Sequence, residues 1–300
     1  MKRALRKLYS ALKARGKENV DKQVIRLSPA IIPKGHVLLS YIIESFLIDP
    51  DHPTFRSHTH YWETRQIVNT FLELGYAVDL ISYRNTSIRP ERNYDFFVSA
   101  RTNFDRLAAR LNDACVKVAH LDTAHWITNN YTAYGRLFNL VQRRNVALTG
   151  SIRLIEHNSA IENADLATVL GNTFTMESYT YANKPIYRIP ISSPIEYGWQ
   201  KRDINAIRHN YLWFGSAGFV HKGLDLVLEL FAGLPDYQLF VCGPLHKEKA
   251  FVQEFHCELL ETENIHPVGW VDINGAKFKE MLNQCLGIIY PSCAEGGAAV

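Results

Sequence analysis

From His36 onward the chain alternates short, continuous apolar runs with stretches of helical periodicity, and few architectures accommodate that pattern. A strand that is apolar throughout must be buried on both faces, which parallel strands in βαβ units achieve. Strand candidates in the first half are 36–43, 76–83, 94–100, 116–121, 145–150, 165–170 and 186–191. A helix is clearest over 61–74, where Ile67, Val68, Phe71, Leu72 and Leu74 form one stripe and Gly75 ends it. A second run of the same kind starts at Tyr211, with strands at 211–215, 237–242, 265–270 and 286–290 and helices at 222–233, 246–259 and 274–284. Between the runs, Pro194, Gly198 and a mixed-charge stretch suit a linker. The expected fold is α/β, with two Rossmann-like doubly wound domains facing a cleft and ligands at the carboxyl ends of the strands. The expected boundaries are a basic segment at 1–35, a first domain at 36–195, a linker at 196–210 and a second domain at 211–300. Few elements follow the linker before Val300, so the second domain reads as incomplete.

Composition narrows the class of function. Of 300 residues, 47% are hydrophobic and 21% charged, the balance of a globular chain with real cores. A net charge of only +3 argues against a nucleic-acid binder driven by bulk charge. No apolar run reaches the roughly 18–20 residues that span a bilayer. Five cysteines (115, 242, 257, 285, 293) lie far apart, and their odd number argues against a disulfide framework. Together with the lack of a secretory apolar stretch, these features predict a cytoplasmic protein. Residues 1–17 are basic, carrying Lys2, Arg3, Arg6, Lys7, Lys13, Arg15 and Lys17 around Leu5, Leu8 and Leu12. A helix there would present an apolar stripe between basic flanks and could rest on an anionic membrane surface; a solvated terminus is the plainer alternative.

Two loops carry chemistry. In WFGSAGFVHKGLD (213–225) a buried strand ends at Gly215, a loop with Gly218 follows, and a helix is expected to begin near His221–Lys222. Glycines let backbone N–H groups approach an anion, and a lysine in a first helical turn opposes the helix dipole unless an anion sits there too. The pattern describes a diphosphate site, against the alternative of a surface lysine after a turn. It fits neither G-x-x-x-x-G-K-[ST] nor G-x-G-x-x-G. In IIYPSCAEGGAAV, Glu295 stands on the loop after the last strand, where a carboxylate can accept sugar hydroxyls or merely backbone N–H groups.

The combination of F-G-S-A-G-F-V-H-K-G-L-D and Y-P-S-C-A-E-G-G resembles the retaining glycosyltransferases of the GT-B fold, of the large family 4 type. The stretch 60–83 is similar to the first helix and second strand of their acceptor domain. The resemblance implies that Lys222 holds the donor's diphosphate and Glu295, as first glutamate of E-x7-E, contacts the donor sugar. It also implies that Gly215, Ser216, Gly218 and His221 shape the phosphate loop, and that Gly296 and Gly297 bring N–H groups to the sugar. The sequence departs from the pattern at Ser216, where many members carry an arginine, and the second glutamate of the pattern would fall past Val300.

In VAHLDTAHW, His120 and His125 stand where the fourth strand candidate ends, with Asp122 between them. The resemblance implies a cleft histidine in catalysis, His120 by strand register, with His125 on the acceptor side; a strand-end histidine bonded to backbone is the alternative. His58, His60 and Arg65 are read as lining the acceptor pocket, since H-x-H finds no further zinc ligands by spacing. Asp49-Pro50-Asp51 spells D-x-D, a metal motif of the other glycosyltransferase fold that also arises often by chance. The expected function is transfer of a sugar with retention from a nucleotide-diphosphate sugar to a glycan or lipid-linked acceptor, with no metal and no further cofactor. A nucleotide-sugar epimerase on the same frame and a non-catalytic nucleotide-sugar or glycan-binding protein are the alternatives.

Overall fold

A computed structural model describes residues 20–49, 52, 55, 59–193, 195–198 and 200–296. The basic segment 1–17, His58, Gly297 and two residues of the D-x-D motif, Pro50 and Asp51, lie outside them. The chain forms two α/β units of the expected Rossmann-like kind. One comprises Met1–Asp122 and Glu156–Pro194, the other Thr123–Ile155 and Ile195–Val300.

The first unit is built on a seven-stranded sheet: β1 (Val24–Leu27), β2 (His36–Tyr41), β3 (Ala77–Ser82), β4 (Phe96–Ala100), β5 (Val116–Leu121), β6 (Leu166–Leu170) and β7 (Ile186–Ile189). Their order is β1-β3-β2-β4-β5-β6-β7, and every pairing is parallel except β1 with β3. Successive residues serve opposite faces, as the pleat requires. Val37, Leu39, Val78, Leu80 and Val98 meet Val68 of α1 (Thr59–Glu73), while Leu38, Ile81, Phe97, Ala119 and Val169 meet Phe104 and Leu107 of α2 (Phe104–Ala108) and Ile161 of α4 (Ala160–Asn163). The edge strand β1 escaped the sequence reading, because VIRL is short, half-buried and precedes the alternating pattern.

The second unit holds a four-stranded parallel sheet, β10-β9-β8-β11, from β8 (Asn210–Phe214), β9 (Gln238–Cys242), β10 (Ile265–Gly269) and β11 (Gly287–Ile288). On one face α7 (Leu224–Ala232) contributes Leu224, Val227, Leu228 and Phe231; on the other α9 (Ala276–Gln284) contributes Phe278 and Met281.

The expected strand at 145–150 does not form. In its place α3 (Trp126–Arg144) runs up to Asn145, which caps it in the left-handed region at φ 55°, and an irregular segment follows. Its apolar residues are used all the same. Leu140 and Leu148 enter the core of the second unit beside Trp213, Phe219 and Phe251, each such burial contributing about 1.5–3 kcal/mol. Arg143 pairs with Asp225 at 2.6 Å and Arg144 with Glu258 at 2.6 Å. The segment 123–155, which linear order assigns to the first domain, therefore packs with the second unit. Helix α8 (Lys249–Glu254) is shorter than its expected span of 246–259 and passes into a wide turn over Cys257–Glu261. Among the described residues no helix is long and apolar enough to cross a membrane.

Candidate functional site

Strands β8 and β11 are parallel neighbours, so the loops leaving their carboxyl ends meet. Gly215 opens the first. A Cβ there would lie 2.7 Å from Cη2 of Trp213 and 3.2 Å from Cδ of Lys222, so glycine is what lets the lysine stem pass. Gly218 turns the loop with φ +95°, a region side chains disfavour. The helix starts later than the sequence indicates: Lys222 lies in the turn before α7, its N–H donating to Gly218 O at 2.8 Å. Lys222 is therefore not a cation in a first helical turn; it is a buried one. Lys222 is 4% exposed, and its Nζ donates to Glu295 Oε1 at 2.6 Å and to the Tyr290 hydroxyl, over whose ring it sits at 5.0 Å.

Three donors converge on Oε1 of Glu295: Lys222, Tyr290 OH at 2.8 Å and Ser292 Oγ at 3.1 Å. Burial pushes this carboxyl up, but the lysine charge and these hydrogen bonds outweigh it and hold Glu295 below the ordinary range. Burial also lowers Lys222, against the opposing pull of Glu295. His221 is buried and pinned: its Nε2 meets Ala294 O at 2.9 Å, while its Nδ1 accepts from the Arg153 N–H at 3.4 Å. Desolvation lowers its pKa, keeping the ring neutral. Gly296 is buried beside this loop's end.

The backbone cradle is partly occupied from within. The N–H groups of Gly218 and Phe219 both donate to the Glu248 carboxylate, which also accepts from Ser151 Oγ. His221 N–H goes to Ser151 O at 2.9 Å. Ser216, the residue standing where arginine was expected, accepts from Arg153 at 3.0 Å.

In the first unit a different cluster forms. Glu63, on α1 and 6% exposed, accepts from Tyr41 OH at 2.8 Å and Ser192 Oγ at 3.0 Å, and pairs with His60 Nδ1 at 2.8 Å. Burial raises this carboxyl, but the bonds from His60 and Tyr41 and the charge of the two neighbouring histidines leave it below the ordinary range. His120, near the end of β5, is buried; its Nδ1 meets Thr168 Oγ1 at 2.9 Å, its ring stands edge-on to Tyr41 at 5.2 Å, and its Nε2 has no hydrogen-bond partner. Burial lowers its pKa. A cavity of about 640 Å³ is lined by Glu63, His120, Thr168 and Ser192 together with Phe96 and Val118.

The predicted residues thus fall into separate groups. Gly215, Ser216, Gly218, His221, Lys222 and Glu295 share one site in the second unit; His60 and His120 share a cluster in the first. Arg65 joins neither, forking onto Ser45 O at 3.1 and 2.7 Å between Phe46 and Phe55. His125 belongs to the second unit, where its ring caps α3 by accepting from Ile127 N–H at 3.4 Å. The residues missed were Tyr41, Glu63, Arg153, Ser192, Glu248, Tyr290 and Ser292. Glu63 and Tyr290 lay inside motifs already singled out, whereas no spacing connects Arg153 to Ser216. One group of possible metal donors, His256, Cys257 and Glu261, converges on the exposed surface of the wide turn after α8.

No protein-family model matches the chain. No curated protein matches it either. Among solved structures it is similar to Anabaena Alr3699/HepE, crystallised in complex with UDP and glucose, at 11% identity over 86% of this chain and 74% of that one, with a TM-score of 0.43. A likeness that slight assigns neither fold nor activity.

Proposed function

We propose that the chain is a glycosyltransferase that moves a sugar with retention from a nucleotide-diphosphate donor to a glycan or lipid-linked acceptor, without a metal. The observation that carries this reading is the buried Lys222–Glu295 pair at the carboxyl ends of β8 and β11. A lysine held in a partly dry setting beside a carboxylate is poised to exchange that partner for a diphosphate and to stabilise the negative charge that develops as a nucleoside diphosphate departs. Glu295, released or shared, is then free to accept hydroxyls of the donor sugar. The likeness of both loops to family 4 retaining glycosyltransferases supports the same assignment. His120, kept neutral by burial and presenting an unpartnered Nε2, is suited to hydrogen-bond a sugar hydroxyl rather than to hold charge.

Calorimetric titration of UDP, GDP and ADP in the absence of metal tests the proposal. Binding of one diphosphate that collapses in Lys222→Ala is the expected result. An intact, folded chain that binds none of the three overturns it.

A further inference from the structure

The phosphate loop bears serine where many related loops bear arginine, and two of its N–H groups are already given to Glu248. A diphosphate carries more charge than Lys222 alone offsets. The structure places a second cation at this loop from a remote part of the chain. We propose that Arg153, delivered by the segment after α3, is the second cation of the diphosphate site; the inference rests on the donor reading above.

Three observations carry it. First, the guanidinium is already at the loop: its terminal nitrogen donates to Ser216 Oγ at 3.0 Å, and its stem lies so close over Gly218 that a Cβ there would be 3.1 Å from Nε and 3.2 Å from Cγ. Second, its backbone is fixed independently of its side chain. The Arg153 N–H donates to His221 Nδ1 at 3.4 Å, its carbonyl accepts from Asn129 Nδ2 at 3.2 Å, and Ser151 O accepts the His221 N–H at 2.9 Å. The residue next to Lys222 thus anchors the strip of chain that carries the arginine. Third, Arg153 and Ser216 are both exposed whereas Lys222 is buried, so an incoming ligand meets the guanidinium at the surface of the loop.

The arrangement assigns distinct tasks. Lys222 acts as a compact charge from below, and Arg153 as a planar fork from the loop's open side, where two phosphate oxygens can be bridged at once. The Ser216 hydroxyl holds the fork in place until the ligand arrives. Ser216 therefore replaces the expected arginine by orienting one supplied from elsewhere.

The test uses the full chain and the same three nucleoside diphosphates. Arg153→Ala keeps the backbone bonds to His221 and Asn129, so the loop's frame survives. A loss of affinity of about tenfold or more for the diphosphate that binds the parent chain, recovered only in part by Arg153→Lys, is expected. Ser216→Ala should weaken binding by a smaller factor. If the parent chain binds a diphosphate, Lys222→Ala abolishes it and Arg153→Ala leaves it unchanged, the Arg153 assignment is overturned while the donor site stands. If the folded parent binds none, the donor reading falls and this inference with it.

Discussion

The two units each hold a glutamate, buried in the first and half-buried in the second, that accepts one tyrosine and one serine hydroxyl: Glu63 from Tyr41 and Ser192, Glu295 from Tyr290 and Ser292. The third partner differs. Glu295 faces the amine of Lys222 at 2.6 Å, whereas Glu63 faces the imidazole of His60 at 2.8 Å. One cluster thus pairs its carboxylate with an ammonium that an anion can claim; the other sets a carboxylate among imidazole and hydroxyl partners on an otherwise apolar cavity. Under the proposed function, that difference separates a diphosphate site from a site for a neutral, hydroxyl-bearing molecule.

Removing Lys222 should break the second cluster most severely. Lys222→Ala leaves Glu295 half-buried without its counter-charge and should cost about 3 kcal/mol in chemical denaturation, the low end for a broken buried pair. A Lys222→Met, Glu295→Leu double variant should recover most of that loss while binding no diphosphate; additive losses would show that the two residues are not coupled. In the first unit, Tyr41→Phe removes a hydroxyl from a carboxylate lacking a permanent cation, and about 1.5–3 kcal/mol should go with it. Tyr290→Phe should cost less, because Lys222 remains. Equal losses would erase the contrast drawn above.

Acid should act on both clusters in two stages, histidines before carboxylates. His120 has a folded pKa below 6.5, so as pH falls below 6.5 the unfolded chain takes up the proton first and stability declines. Glu63 and Glu295 have folded values below 4.5, so their contributions are complete above 4.5 and are lost as pH falls through those lower values. Denaturation midpoints followed downward from about pH 7 should therefore drop early through His120 and through His221, whose pKa burial also lowers, and His120→Gln should remove only the His120 share of that first decline. The smallest effect is expected at His125. His125→Ala forfeits a helix cap, about 0.5–1 kcal/mol, and should leave diphosphate affinity intact; a large loss of binding would return His125 to the site.

The fold was legible wherever burial was two-sided. Val37–Tyr41, Ala77–Ser82 and Gln238–Cys242 are apolar runs in which every residue meets a core or a neighbouring strand, and their periodicity leaves no other reading. Helix α3 was not legible, for a physical reason. Its buried positions are Asn129, Ala133 and Leu140, whereas Ile127, Tyr131, Tyr134 and Phe138 point to solvent, so its apolar stripe marks the wrong face. The Ala147–Leu148 run was apolar because Leu148 is buried, not because it is a strand. At the site, Lys222 and Glu295 could be named because each sits a fixed step beyond a strand. Glu248 and Arg153 could not, since tertiary placement alone brings them to the Gly218 loop.

The excursion of 123–155 between β5 and β6 also bears on how the molecule is made. During synthesis the chain emits α3 before it emits β6, and the first sheet can close β5 onto β6 only by looping out this whole stretch. Such closure is entropically mild, each doubling of loop length adding about 0.6 kcal/mol, but it leaves Leu140 and Leu148 waiting for a core that begins only at Tyr211. Until that core is made, the segment 123–155 carries apolar side chains without their packing partners, and surface of that kind is prone to aggregate. Cutting the chain at residue 195 would leave Leu140 and Leu148 with the wrong fragment, cut off from their core, rather than release two independent halves.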